Sequence, residues 1–174
     1  MKCWKRWGGE QGVAMRALGV DPGTVVTGFG LVDEEDNHLF HITSGNINPP
    51  QKADMCRRLQ CIYTEINKLI QSYKPDTVII EKGFYSKNVQ TVVKLAQVNG
   101  IIMLAATNAA IPVFEYTPLA IKLAVVGYGA ATKEQVQHMV GQILKIDKPV
   151  ESHHAADAIA AAICHLHRKV AVQK

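Results

Sequence analysis

Residues 77–81 read Thr-Val-Ile-Ile-Glu, a short β-branched run that ends on an acid. The run lacks the alternation of apolar and polar residues that a half-exposed strand shows, which is typical of a strand buried on both faces. A strand of this kind lies in the centre of a sheet that helices cover from both sides. The stretch therefore predicts an α/β fold, with residues 77–80 as a central strand.

The residues before this strand predict the first part of the same sheet. Residues 16–20 form a short apolar run that ends at Asp-Pro-Gly, a strand followed by a turn. Residues 24–32 and 38–45 are rich in β-forming residues and flank a polar tip, so we expect an antiparallel pair. Between 53 and 73, apolar residues recur at helical spacing, which predicts a helix that leads into the central strand.

The residues after the central strand predict helices in alternation with one more strand. We expect a long helix that ends near residue 109, a strand over 111–114, helices over 117–126 and 132–144, and a last helix over 152–170. This order gives a five-stranded mixed sheet flanked by helices. Neither an internal repeat nor a linker interrupts it, so we expect a single domain over residues 15–170.

Composition and cysteine usage narrow the class of protein. Of the 174 residues, 48% are apolar and 20% are charged, which is typical of a folded domain. The net charge of +4 permits an anionic partner without identifying one, and no unbroken apolar run reaches the roughly 18–20 residues of a membrane span. The four cysteines form no Cys-x-x-Cys pair, so we expect free thiols in a reducing, cytoplasmic compartment rather than a zinc ribbon.

Residues 1–14 differ from the rest of the chain. They carry two tryptophans, a Gly pair and three basic residues, and they lack the apolar stretch of a secretory signal. We expect a disordered N-terminal extension, with Met15 at the beginning of the first regular segment and as a functional start.

Three acids and a histidine predict a common site at one edge of the sheet. Asp21 follows the first strand and Glu81 follows the central strand, where an acid is costly unless a cation or hydrogen bonds satisfy it. His154 and Asp157 are three residues apart in the last helix and therefore share a face. Because alanines surround them, that helix can lie close to the sheet and bring Asp157 near the two strand-end acids.

A cluster of this kind fits a hard divalent cation, because Mg²⁺ and Mn²⁺ prefer oxygen ligands. Two such ions about 3.5–4 Å apart can clamp the attacking water and the leaving oxygen of a phosphodiester. Each residue also has an ordinary structural explanation, since Asp21 before Pro-Gly suits turn chemistry, and either His153 or His154 can simply begin a helix. The conjunction of the residues points to metal-dependent chemistry more strongly than any single one.

The opening segment at 18–30, LGVDPGTVVTGFG, is similar to the first segment of the RuvC family of Holliday junction resolvases, and the resemblance extends from about residue 15 to residue 167. The most distinctive likeness lies in PVFEY at 112–116, Lys122, VVG at 125–127, Lys133 and QVQHMV at 135–140, and HAADA at 154–158 closes the pattern. Several motifs in one order are far more specific than Asp-x-Gly-Thr alone.

The resemblance implies a ribonuclease H-like fold and a homodimer that nicks two opposing strands of four-way junction DNA symmetrically. It places Asp21, Glu81, His154 and Asp157 in the catalytic, metal-binding set, with two Mg²⁺ ions per subunit for which Mn²⁺ can substitute. Many family members carry Asp at the position of His154, so this chain exchanges an oxygen ligand for an imidazole. A branch-migration complex of the RuvA–RuvB type is the further partner that the resemblance implies.

Basic and aromatic residues in the middle of the chain are candidates for DNA contact. Lys122 and Lys133 match family positions near the active site, where they can hold phosphates or stabilise charge in the transition state. Phe84 and Tyr85 lie in the loop after the central strand, and Phe84 matches a family position implicated in stacking at the junction. The DNA-binding set that we expect is Phe84, Tyr85, Lys87, Lys122 and Lys133.

The long helix that follows this loop is a candidate for the dimer interface. It is apolar nearly all round after Gly100, and a glycine permits a second backbone to approach closely. Burial of residues 100–106 against their own sheet explains the same pattern, so the sequence leaves both interpretations open.

Two other functions are compatible with parts of the sequence. Asp21-Pro-Gly-Thr24 also resembles the first phosphate loop of actin-like and sugar-kinase-like ATPases, but those enzymes need two lobes and no second Asp-x-Gly-Thr occurs here. His154 in place of an acid favours a catalytically impaired protein that binds four-way junctions without cutting them. Retention of Asp21, Glu81 and Asp157 argues for the nuclease.

Overall fold

The computed structural model describes residues 15–82, 88–146, 150 and 152–172. Its strands are β1 (Met15–Asp21), β2 (Thr27–Glu35), β3 (His38–Ile47), β4 (Thr77–Glu81) and β5 (Val113–Tyr116). They form one sheet in the order β3-β2-β1-β4-β5, in which the first three strands pair antiparallel and β4 and β5 continue the sheet in parallel with β1. The predicted five-stranded mixed sheet is therefore confirmed.

Helices cover both faces of this sheet. One core contains buried residues of α1 (Met55–Tyr73) and α2 (Val89–Asn108), and the other contains those of α3 (Pro118–Val126), α4 (Lys133–Leu144) and α5 (His153–Val172). In β4, Val78 and Ile80 face the first core and Ile79 faces the second, and all three are fully buried. The prediction of a central strand at 77–80 is confirmed.

Glycines allow α5 to lie directly on the sheet. A Cβ atom at Gly19 would lie 1.9 Å from the carbonyl oxygen of Ala158, and one at Gly28 would lie 2.1 Å from that of His154. A Cβ atom at Gly30 would lie 2.4 Å from the side chain of Ile159. No side chain fits at such distances, so contact between backbones sets the height of α5 above β1 and β2.

Two strands begin later than the sequence predicts. β2 begins at Thr27 rather than at residue 24, because the Thr27 hydroxyl donates to the carbonyl oxygen of Gly23 at 2.7 Å and accepts from its N–H at 3.2 Å. These bonds keep residues 23–26 in a turn beside the end of β1. β5 begins at Val113 rather than at residue 111, because Pro112 has no N–H to offer to a strand ladder.

The long helix α2 divides its apolar residues between the core and the surface. By length and composition it could cross a membrane, and no other helix in the described ranges could, which is weak evidence on its own. Ile102 and Ala105 are buried in the core between α1 and the sheet, whereas Gly100 and Leu104 are exposed on the other side. Burial against the sheet thus accounts for part of the apolar pattern at 100–106, and an uncovered stripe remains.

Candidate active site

Two of the predicted site residues lie at neighbouring strand ends. β1 and β4 are adjacent and parallel, and their register pairs Val20 with Ile80. Asp21 and Glu81 come next in each strand, so both acids lie at the same edge of the sheet. This is the arrangement that the two acid-terminated strands predict.

The first turns of α5 bring the other two predicted residues to this edge. The imidazole Nδ1 of His154 lies 2.7 Å from Oδ2 of Asp21. Asp157 follows one turn later, close enough for the charge of Asp21 to raise its pKa. The Ser152 hydroxyl, just before α5, donates to Oδ1 of Asn46 near the end of β3 at 2.9 Å, which ties the beginning of the helix to the sheet.

Burial and mutual repulsion make the three acids difficult to ionise together. Burial, together with the negative charges of Asp21 and Asp157, raises the pKa of the Glu81 carboxyl to about 8, although the charges of Lys133 and Lys122 oppose the shift. Burial also raises the pKa of Asp21, despite its hydrogen bond with His154. Burial and the charge of Asp21 raise the pKa of Asp157. The cluster therefore has too little positive charge nearby to balance three ionised carboxyl groups.

Two lysines face this cluster from the helices beside α5. The Nζ atom of Lys133 lies 3.7 Å from Oδ2 of Asp157. Lys133 is the first residue of α4, and a capping box of Thr132 and Gln135 fixes this end of the helix. Lys122, in α3, is half-buried, and its charge lowers the pKa of Glu81. The structure thus brings together six predicted residues, which are Asp21, Glu81, Lys122, Lys133, His154 and Asp157.

The donor set fits a hard divalent cation in its chemistry. Three carboxylates are typical ligands for Mg²⁺ or Mn²⁺, whereas the imidazole of His154 is a donor more typical of transition metals. The raised pKa values of the acids are the response expected where positive charge is missing. Among the described residues, no group of three or more His, Cys, Asp or Glu side chains lies close enough together, as placed, to hold a metal ion. The fit therefore rests on ligand chemistry and on charge.

Some of the predicted residues cannot be placed. Phe84, Tyr85 and Lys87 lie outside the described residues, and their assignment to DNA contact remains a prediction, as does the assignment of residues 1–14 to a disordered extension. The structure also places Tyr128, for which the sequence predicted no role, as a highly exposed aromatic between α3 and α4. The two glycines that flank it, Gly127 and Gly129, were the available signal, because such a triplet presents a side chain on a tight loop.

Comparison with known proteins gives one consistent result. The family model described as "Crossover junction endodeoxyribonuclease RuvC" matches residues 17–165. A protein of that name from Syntrophomonas wolfei is 50% identical over 153 residues, which cover 88% of this chain and 89% of the relative. Another from Caldanaerobacter subterraneus is 44% identical over 153 residues, with 88% and 93% covered.

Solved structures agree with the sequence relatives. Thermus thermophilus RuvC in complex with Holliday junction substrate matches with a TM-score of 0.84 at 27% identity, over 89% of this chain and 94% of that one. The yeast mitochondrial Holliday junction resolvase Ydc2 matches with a TM-score of 0.69 at 12% identity, over 91% and 80% of the two chains, and shows a shared fold alone. The architecture is ribonuclease H-like, as the sequence predicts.

Proposed function

Because the chain belongs to the RuvC family of crossover junction endodeoxyribonucleases, we propose that it resolves Holliday junctions by nicking two opposing strands symmetrically. The observation that carries this proposal is the meeting of Asp21 and Glu81 at adjacent strand ends with His154 and Asp157 of α5. We further propose that residues 15–170 act as one nuclease domain in the cytoplasm.

The four residues of this cluster would hold two Mg²⁺ ions, for which Mn²⁺ would substitute. When bound, such ions supply Lewis-acid polarisation of the phosphodiester and a stronger water nucleophile at neutral pH. The charge of Asp21 acts on both Glu81 and Asp157, and its carboxylate contacts His154, so Asp21 would be the common member of this ligand set. Glu81 and Asp157 would complete the ligand set, with His154 as the nitrogen donor.

Lys133 and Lys122 would act on the DNA phosphate rather than on the metal ions. The Lys133 ammonium lies against Asp157 at the border of the cluster, where a DNA phosphate must enter. Ammonium groups in this position bind the scissile phosphate and stabilise the negative charge that develops on it in the transition state. By family resemblance, the cut leaves 5′-phosphate and 3′-hydroxyl ends.

Symmetrical nicking calls for two copies of the site, and the exposed stripe of α2 is the surface that we assign to the dimer. A two-fold interface places the same patch of each subunit against itself. Val93, Gly100 and Leu104 are exposed on α2 at spacings that put them near one face, and Gly100 has open space where a side chain would project. A second α2 would cover this stripe, and Leu104→Lys should then leave a monomer in sedimentation equilibrium.

Further contacts follow from the family alone. Phe84 and Tyr85 would stack on unpaired bases beside the cut, and Lys87 would hold a neighbouring phosphate. A branch-migration complex of the RuvA–RuvB type would deliver the junction. Cleavage of a synthetic four-way junction beside a linear duplex tests the proposed activity directly.

A further inference from the structure

A cluster of exposed apolar side chains lies in α3 and in the loop after it, the segment that also carries Lys122 and leads to Lys133. Tyr128 is 62% exposed, and Leu119 and Leu123 of α3 are 58% and 51% exposed. A Cβ atom at Gly129 would lie 2.3 Å from Leu119 Cδ1 and 3.6 Å from Leu123 Cγ, so the residue next to Tyr128 rests on both leucines. Single exposed apolar residues are ordinary, but two leucines one turn apart, with an exposed ring next to the glycine that rests on them, suggest a surface that is covered during function.

The loop that carries Tyr128 is held in a defined conformation. The N–H of Gly127 donates to the carbonyl oxygen of Leu123 at 3.0 Å, and Gly127 has the positive φ of 76° that ends α3. The N–H of Ala131 donates to the carbonyl oxygen of Tyr128 at 3.2 Å. Because both ends of the loop are bonded, an exposed ring here loses little conformational freedom when it binds a partner.

This same segment supplies both lysines of the site. Lys122 lies three residues after Leu119 and is therefore its neighbour on the surface of α3. Lys133 opens α4 five residues after Tyr128 and lies 3.7 Å from Asp157. The exposed apolar residues thus belong to the segment that supplies the two cationic groups of the site, and a partner that covers them must tolerate this positive charge.

DNA can cover exposed apolar side chains and also tolerates the positive charge nearby, because it offers flat nucleobases to the ring and phosphates to the lysines. We propose that Tyr128 stacks on a nucleobase of the junction next to the scissile phosphate. This inference rests on the proposed function, and it adds a DNA contact to those that the sequence predicts. The contact carries no charge, so it contributes to positioning and to affinity without adding to the dependence of binding on salt.

The test compares Tyr128→Ala and Tyr128→Phe with the wild-type protein on a synthetic four-way junction that carries 2-aminopurine beside the cut position. Tyr128→Ala should weaken binding, measured with Ca²⁺ in place of Mg²⁺, by about tenfold, the usual loss when one stacked aromatic is removed. It should also abolish the quenching of 2-aminopurine and leave the salt slope of binding unchanged. Tyr128→Phe keeps the ring and should retain both affinity and quenching.

Phe40→Ala is the matched control, because Phe40 is an exposed aromatic on the edge strand β3, away from the lysines. Equal binding and quenching by Tyr128→Ala, Phe40→Ala and the wild type would overturn the inference while junction cleavage by the wild type still stood. A change in the sedimentation of the DNA-free Tyr128→Ala protein would also overturn it, because the cluster would then join two protein chains. Failure of the wild type itself to nick junctions would instead refute the proposed function.

Discussion

Nδ1 of His154 lies 2.7 Å from Oδ2 of Asp21, so the first turn of α5 is bonded to the residue that ends β1. The contact joins residues that are 133 positions apart in the chain. It depends on Gly28, because a side chain there would collide with the backbone of His154. The same contact puts an imidazole where many family members carry a carboxylate, so we expect it to change the preference between Mg²⁺ and Mn²⁺.

The first prediction concerns His154→Asp. Imidazole suits transition metals, whereas carboxylates suit Mg²⁺, so the wild-type protein should cut relatively better with Mn²⁺ than the variant does. We expect the substitution to raise the ratio of Mg²⁺-supported to Mn²⁺-supported cleavage by about tenfold, which is within the range that ligand-shell changes produce. Initial rates in the two metals measure this ratio, with His138→Asp on α4 as a control. An unchanged ratio would argue against His154 as a ligand.

The second prediction concerns Asp21→Asn. The substitution keeps the shape of the residue but removes the negative charge that acts on Glu81, Asp157 and His154. Cleavage should therefore fall at least a hundredfold. Binding of the junction in the presence of Ca²⁺ should remain within about twofold, because affinity for DNA comes mainly from phosphate contacts elsewhere. Gel-shift and cleavage assays on one preparation separate the two effects. Joint loss of binding and cleavage would mean that the fold had been damaged.

The third prediction concerns the stability of the metal-free protein. Glu81 has a pKa of about 8 in the folded protein and an ordinary value of 4.5. Between these two pH values, Glu81 keeps its proton in the folded state and loses it in the unfolded state. Glu81 therefore lowers the free energy of unfolding progressively as the pH rises through this window. The destabilisation by Glu81 is fully present above pH 8 and absent below pH 4.5.

Glu81→Gln should thus raise the free energy of unfolding at pH 8.5 in EDTA by about 2–4 kcal/mol and leave it unchanged at pH 4. The same variant should lose cleavage and lose the stabilisation that Mg²⁺ gives to the wild type. Urea denaturation at both pH values provides the measurement, and Glu35→Gln at the exposed end of β2 is the control. A less stable Glu81→Gln protein at pH 8.5 would contradict the electrostatic account.

The fourth prediction concerns the close packing of α5. Gly19→Ala would put a methyl group against the carbonyl oxygen of Ala158, so it should destabilise the fold by at least about 1–3 kcal/mol. It should also lower cleavage, because α5 carries His154 and Asp157 and must move away from β1. Gly141→Ala in α4 is the control, since open space surrounds that position and alanine should stabilise the helix by about 0.5–1 kcal/mol. Equal melting temperatures for the two variants would be inconsistent with this packing.

Patterns along the chain predicted the fold well where the signal was local. The β-branched run of β4 and the helical spacing of α1 are properties of neighbouring residues, and both elements were found where expected. The beginning of β2 was wrong by three residues, because the Thr27 hydroxyl holds the turn in a way that β propensity does not register. Pro112 displaced β5, although its missing N–H was readable in advance.

The grouping of the candidate site residues was predictable from the sequence, but the electrostatics of the group were not. Acids that end apolar strands identified Asp21 and Glu81, and spacing on a helix identified Asp157, since these are sequence features. The pKa of Glu81 and the contact of Lys133 with Asp157 depend on distances between elements, which no spacing reveals. Gly28 and Gly30 alternate on one face of β2, which was an overlooked signal that a helix packs there.

The fifth prediction concerns Lys133. Lys133→Gln removes a cation from the border of the cluster, so cleavage should fall on the order of a hundredfold. The slope of log affinity against log salt should fall by about one, because one phosphate contact is lost. Lys68→Gln on α1, where the lysine pairs with Glu65, should change neither quantity. Cleavage at the wild-type rate by Lys133→Gln would remove this lysine from the mechanism.

The central claim is tested most directly by cleavage of a mobile synthetic four-way junction beside a linear duplex of equal length, with Mg²⁺ and with Mn²⁺. We predict paired nicks at symmetrical positions in opposing strands of the junction, none in the duplex, and no nicks with Asp21→Asn. Binding of the junction without nicks in either metal would contradict the account and identify a junction-binding protein that does not cut.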